Sequence, residues 1–274
     1  MKNTLKDTKK LKAKFNSNFG FNLDKYDFDS NIEVWIDTFN GLEQSDADIK
    51  VFVGIEPQEV MRLNDFIIGN SNKFDYILTY DENILDNLDN SILFEYGTKW
   101  VTIEDYEYPE KQYSVSTVCG HKAITKSHKQ RHRLWLSQDR IKIPKNFYLS
   151  RLGGPRMFEG NKILGESKFP MFESMFHICI ENVPKKNFFT EKLIDCLLCK
   201  TIPIYVGCEN IGDYFNKDGI IVAKDNEDII EICNSLTEED YNKRLDAIND
   251  NHKRAFDWID YPERLSNKLK EITK

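Results

Sequence analysis

The sequence predicts an α/β protein of two Rossmann-like domains, and three observations carry that prediction. Short β-rich runs alternate with helical stretches in the N-terminal half, starting at residues 31–36 and 49–53. Residues 176–206 spell a strand, a loop, a helix and a strand, the unit from which parallel sheets are built. Between these regions, residues 103–111 read I-E-D-Y-E-Y-P-E-K, a run without apolar periodicity that serves as a linker. The chain of 274 residues is long enough for two modest cores. The expected division is 1–110 for the first domain, 111–255 for the second, and 256–274 for a C-terminal helix that returns to the first.

The first domain opens on lysines at positions 2, 6, 9, 10, 12 and 14, with Leu5 and Leu11 between them. A short basic helix is expected over 1–14. Its apolar face is thin, so a solvated surface is favoured over the alternative, a weak peripheral contact with an anionic membrane. Strands follow at 31–36 and 49–53. Gly54-Ile55-Glu56-Pro57 then turns the chain and leaves Glu56 at a strand's carboxyl end. A helix over 58–64 and a strand over 75–80 come next, the latter ending at Asp81 and Glu82. Glu56 has two readings: a carboxylate that takes a proton in catalysis, or one that caps the following helix.

The second domain begins with a strand over 113–119. Gly120 starts a basic loop holding His121, Lys122, Lys126, His128, Lys129, Arg131, His132 and Arg133. It enters a helix near Ser127, anchored by Leu134, Trp135 and Leu136. Clustered cations at a strand-to-helix junction need an anion or must tolerate repulsion, and a diphosphate is their natural partner. A solvated basic surface is the alternative. Further on, Glu181 and Asn182 end the apolar run 176–180, and Thr190 can cap a helix with Glu191 and Lys192 in its first turn. Leu193, Ile194, Leu197 and Leu198 give that helix its apolar face, and residues 202–206 form the next strand, closed by Gly207. A lysine in a first helical turn opposes the dipole unless an anion binds there. A capped surface helix with an incidental Glu-Lys pair is the other reading. A strand at 219–223, helices at 228–236 and 238–251, and a helical segment broken near Pro262 complete the chain.

Glu181-Asn182, a spacer, then Phe188-x-Thr190-Glu191-Lys192, followed by Ile202-Pro203-Ile204-Tyr205-x-Gly207, resemble the donor-binding signature of glycosyltransferase family 10, the α1,3/4-fucosyltransferases. The resemblance is dense over residues 115–222. Two positions depart from it: Val183 stands where the family has serine, and Phe188 where it has tyrosine. The resemblance implies the GT-B arrangement, two Rossmann-like domains facing across a cleft. It implies an inverting glycosyltransferase moving L-fucose from GDP-fucose to a hydroxyl of a glycan acceptor. By the same resemblance Glu56 is the catalytic base, with Asp81 and Glu82 as fallbacks. Arg131, with Arg133 as rival, and Lys192 would hold the diphosphate, Asn182 and Glu191 the ribose or sugar hydroxyls, and Phe188 would stand at the donor-contacting tyrosine position. No cofactor or metal is required on this reading. A GT-B enzyme using another nucleotide sugar, or a non-catalytic nucleotide- or glycan-binding protein, are the alternatives.

Composition narrows the field further. A net charge of −7 and a pI near 5.4 do not suggest a nucleic-acid partner. No apolar run approaches the roughly 20 residues that span a bilayer, so a soluble, cytoplasmic protein is expected. The six cysteines fall mostly in apolar contexts, and Cys196-x-x-Cys199 has no second pair to complete a zinc site. The absence of a G-x-G-x-x-G fingerprint argues against a nicotinamide dehydrogenase. Asp46-Ala47-Asp48 has the letters of a metal-binding D-x-D motif but precedes its strand.

Overall fold

The computed structural model describes residues 11–17 and 25–274. The chain divides into two compact units, Met1–Glu95 with Asp260–Lys274, and Tyr96–Ile259. In the first unit the strands are β1 (Leu11–Lys12), β2 (Lys14–Ser17), β3 (Asp27–Phe28), β4 (Ile32–Ile36), β5 (Ile49–Val53), β6 (Tyr76–Thr79) and β7 (Ser91–Leu93). Helices α1 (Gln58–Met61), α2 (Asn64–Gly69) and α3 (Glu82–Asn87) lie between them. The main sheet runs β2-β4-β5-β6-β7, parallel throughout, and β1 pairs with β3 apart from it.

Parallel strands covered on both faces read as nearly continuous apolar runs, and β4 is buried at all five positions. Its one charge, Glu33, is met by Asn16 Nδ2 at 2.7 Å and Lys14 Nζ at 2.5 Å, both from β2. Trp35, Phe52, Phe74, Ile77 and Ile84 form the core, with Phe39 stacked on Phe52 at 5.1 Å. Each such side chain contributes roughly 1.5–3 kcal/mol on full burial. The expected N-terminal helix falls largely on residues 1–10, outside the described residues. Where it reaches them, Leu11–Lys12 and Lys14–Ser17 are strands, because the sheet offers Lys14–Ser17 backbone partners in β4.

The second unit holds β8 (Gln112–Cys119), β9 (Lys145–Leu149), β10 (Lys162–Ile163), β11 (Ser174–Ile180), β12 (Ile202–Val206) and β13 (Ile221–Val222). Its helices are α4 (Lys126–Leu136), α5 (Glu191–Leu198), α6 (Asn226–Ser235), α7 (Glu238–Asn242) and α8 (Leu245–Ala255). The strand order is β10-β9-β8-β11-β12-β13, all parallel. The chain thus builds outward from β8 to β10, then returns and builds the other way from β11. At that reversal the loops leaving β8 and β11 diverge and open a crevice at the strands' carboxyl ends, the usual ligand site of such sheets. Along β11 the pleat sends Phe176, Ile178 and Ile180 into one core with Trp135 and Ile229, and Cys179 into another with Leu193 and Leu197.

Residues 96–110, expected to end the first domain and to include most of the linker 103–111, group with the second unit. Their charged letters conceal three apolar anchors: Val101, Ile103 and Tyr106 are buried in that unit's core. The last helix, α9 (Tyr261–Ile272), groups with the first unit, where Phe94 lies 5.6 Å from Tyr261 and Arg264 donates to Glu95 O at 2.9 Å. Pro262 starts this helix and does not break it, since its missing N–H is one that a first turn leaves unpaired anyway.

Candidate functional site

Three segments converge on the crevice of the second unit. Helix α4 begins at Thr125, whose hydroxyl accepts from His128 N and donates to Asn182 O at 2.7 Å. His128 Nδ1 accepts from Thr125 N at 3.2 Å, which requires its neutral form; burial and then the charges of Arg131, Lys122 and Lys192 lower its pKa to about 4. The N-terminus of α4 is thereby tied to the turn after β11. One helical turn on, Arg131 reaches across and donates from Nη2 to Asn182 Oδ1 at 2.6 Å. Its Nε is buried and has no hydrogen-bond partner among the described residues. A buried guanidinium N–H without an acceptor costs free energy, so this donor is poised for a ligand oxygen. Arg133, the rival from the sequence, is exposed.

The second segment is the turn after β11. Glu181 is fully buried and donates its backbone N–H to Val206 O at 2.8 Å, while its carboxylate accepts from Thr190 N at 2.9 Å and Thr190 Oγ1 at 2.8 Å. It holds the cap of the third segment, α5. Gly207 is required beside it: a Cβ there would stand 2.6 Å from Glu181 Cγ and collide with the Tyr205 phenol. Thr190 caps α5, and Lys192 Nζ lies 3.0 Å from Glu191 Oε1 and 3.8 Å from Glu181 Oε2. Burial pushes Glu181 up. Burial pushes Glu191 up as well, but the charges of Lys192 and Lys168 outweigh it and leave Glu191 below the usual range. Burial also works against the Lys192 ammonium, yet Glu191 and Glu181 overcome it and raise its pKa. A helix start therefore carries a firmly protonated lysine beside the positive end of the helix dipole, which together suit an anion.

Arg131, Glu191 and Lys192 line one cavity of about 220 Å³. Its far end was not foreseen. There Lys168 pairs with the buried Asp195 at 2.9 Å, Asp195 also accepts Trp100 N at 2.8 Å, and Lys168 Nζ sits 4.4 Å above the Trp100 ring. His177 lines the same cavity, held neutral by burial, with a pKa lowered to about 3 and a 2.7 Å bond to Ser116. These residues are scattered from position 100 to 195, and no local spacing announces them. Phe188 is different from its expected place: it is 2% exposed and does not line the cavity, so its ring packs in the interior. All six cysteines are free and buried, and Cys196 donates from Sγ to Thr201 O at 3.2 Å.

In the first unit, Glu56 stands half-buried just past β5. Helix α1 is capped by Pro57 with no side-chain bond, so Glu56 is not its N-cap. Asp81 does cap α3, accepting Asn83 N at 3.0 Å, and Glu82 is the first residue of that helix. Asp37, Glu56, Tyr80 and Asp81 line a shared cleft at the carboxyl ends of β4, β5 and β6.

Among the described residues no helix is long and apolar enough to cross a membrane. The two parallel sheets with their covering helices are similar in fold to GT-B glycosyltransferases. Residues 161–272 match the family model described as glycosyltransferase family 10 (fucosyltransferase), C-terminal part. The resemblance is borne out over that stretch, which is similar to the C-terminal part of family 10 glycosyltransferases. Among solved structures, a crystal structure of an α1,3-fucosyltransferase superposes with a TM-score of 0.52 at 16% identity, over 82% of this chain and 70% of that one. The crystal structure of TarM gives 0.53 at 12% identity, over 87% and 54%. At those identities the likeness is one of fold. No curated protein matches the chain.

Proposed function

We propose that the protein transfers L-fucose from GDP-fucose to a glycan hydroxyl with inversion at the anomeric carbon. The observation that carries this reading is the partnerless Arg131 Nε beside the Lys192 ammonium in the crevice between β8 and β11. Two fixed cations and a helix N-terminus there match a nucleoside diphosphate. Lys192 and Arg131 would hold the phosphates, while Asn182 keeps the guanidinium aimed and Glu191 accepts from ribose or sugar hydroxyls. In the reaction the acceptor oxygen forms a bond to the anomeric carbon on the face opposite GDP. The bond from that carbon to the β-phosphate oxygen breaks, and its electron pair leaves with GDP. The acceptor proton passes to Glu56, and the cations stabilise the charge developing on the diphosphate. On this reading no divalent cation is needed, because Arg131 and Lys192 supply the neutralising charge.

The test is thermal stability in the presence of GDP, UDP and CMP. GDP is expected to stabilise most, by about 2.7 kcal/mol at a hundred times its dissociation constant. A clear preference for UDP would assign the protein to a different nucleotide sugar. Tight GDP binding without release of fucose from GDP-fucose would mark a binding protein.

A further inference from the structure

Glu56 lies in the loop just past β5. Helix α1, which follows it, is one turn long and starts at a proline without a side-chain cap. What fixes the loop comes from the neighbouring strand. Asp37, the first residue after β4, is 4% exposed and accepts Ile55 N at 2.9 Å through one carboxylate oxygen and Glu56 N at 2.8 Å through the other. Its own N–H donates to Val53 O at 3.1 Å, so Asp37 grips the end of β5 from both its backbone and its side chain.

The backbone of Asp37 is left-handed, with φ of 50°. Glycine adopts that conformation most easily, and asparagine tolerates it about as well as aspartate. The conformation alone therefore does not call for aspartate. What aspartate adds over both is two acceptor oxygens and no donor, which is what two converging N–H groups need. Glycine would supply neither oxygen, and asparagine would turn an NH2 group toward one of the N–H donors.

We propose that Asp37 is the positioning residue for Glu56, holding the carboxylate loop of residues 54–57 in the geometry that proton abstraction requires. The inference rests on the reading of Glu56 as the base. It assigns Asp37 no contact with substrate. The groups that face Asp37 are the Glu56 carboxylate from the loop after β5 and the Tyr80 phenol and Asp81 carboxylate from the end of β6, all on the same cleft. Burial, and then the Glu56 charge, push the Asp37 carboxyl up to about 7 against the pull of its two backbone bonds. At neutral pH the grip is therefore itself titratable: a proton on Asp37 removes one of the two acceptors.

The experiment is a double-mutant cycle between Asp37→Asn and Glu56→Gln, read as GDP release from GDP-fucose with water as acceptor. Asp37→Asn is expected to lower kcat about ten- to hundredfold while leaving the KM for GDP-fucose unchanged, as a misplaced catalytic group does. In the Glu56→Gln background it should cause no further loss, because the group it positions is gone. If Glu56→Gln lowers kcat and Asp37→Asn does not, or the two losses multiply, the inference about Asp37 fails alone. If Glu56→Gln leaves kcat unchanged, the reading of Glu56 as base fails and takes this one with it. A variant that does not fold leaves the wild-type protein to decide: the amides of Ile55 and Glu56 should show through-hydrogen-bond NMR couplings to the Asp37 carboxyl carbon. Absence of both couplings overturns the proposal.

Discussion

The two sheets are both parallel and both place polar groups at their strands' carboxyl ends, yet only the second gathers cations there. In the first unit the strand order β2-β4-β5-β6-β7 follows the chain without reversal, and its edge collects Asp37, Glu56 and Asp81. In the second unit the order reverses between β8 and β11, and the crevice brings Arg131, Lys192 and Lys168 together with the carboxylates Glu191 and Asp195. The reversal matters physically. Loops from β8 and β11 leave in different directions, so a cation on one can meet a polar group on the other, as Arg131 meets Asn182. A sequential sheet has no such gap, and its acidic edge is instead stitched tight, with the Asp37 carboxylate spent on the next loop's N–H groups. The same architecture thus yields a cavity with three cations in its lining in one unit and a loop held by a carboxylate in the other.

The sharpest way to break this comparison is within the acidic edge. Glu56→Gln should lower turnover by about a hundredfold to ten-thousandfold with donor affinity unchanged. Asp81→Ala should instead cost about 0.5–2 kcal/mol of stability, the loss of an N-cap, and leave kcat nearly intact. Reversal of those two results in kinetics and chemical denaturation would move the base one strand further along. On the basic side, Arg131→Ala should weaken GDP binding about ten- to hundredfold, since hydrogen bonds to charged groups are worth about 1.5–3 kcal/mol. Guanosine binding should scarcely change. Calorimetry showing equal losses for both ligands would make Arg131 a structural residue, and Arg133→Ala serves as the exposed control.

The two edges also differ in how stability should follow pH. The carboxyl of Asp37 titrates near 7 in the folded chain against an ordinary value of 3.8, so between those values the folded state binds more protons than the unfolded one. Its contribution to stability is fully present below about 4 and is lost as pH rises through about 7. Subtracting the urea stability of Asp37→Asn from that of the wild type should give a difference that declines across this window; a flat difference contradicts the assignment. The smallest effect is expected at the thiols. Cys196→Ser and Cys199→Ser should keep activity within about twofold, as buried cysteines here serve as small packing groups. Stoichiometric zinc in the purified protein would overturn that view.

Sequence by itself determined the elements whose letters are locally redundant. The run Ile202–Val206, the Thr190 cap with the 3,4-spaced leucines of α5, and the alternation at β4 and β5 each specify their conformation within a few residues. The letters singled out Asn182, Glu191 and Lys192 as lying at a strand end and a helix start, and Arg131 by the family resemblance. Strand β9, with two aromatics in five residues, and the short β7 and α3 went unread, since so few residues carry little periodicity. Tertiary structure alone decided the rest. It set Arg131 against Asn182 while leaving Arg133 exposed, and it took Phe188 into the interior. It drew Val101, Ile103 and Tyr106 into the second core, although their neighbours are charged. It also gave Asp37 its grip on Ile55 and Glu56, a contact between residues 18 and 19 positions apart. Pairing in a parallel sheet joins segments through a crossover whose length the letters at the contact do not encode, so the partner of a buried carboxylate is a property of topology.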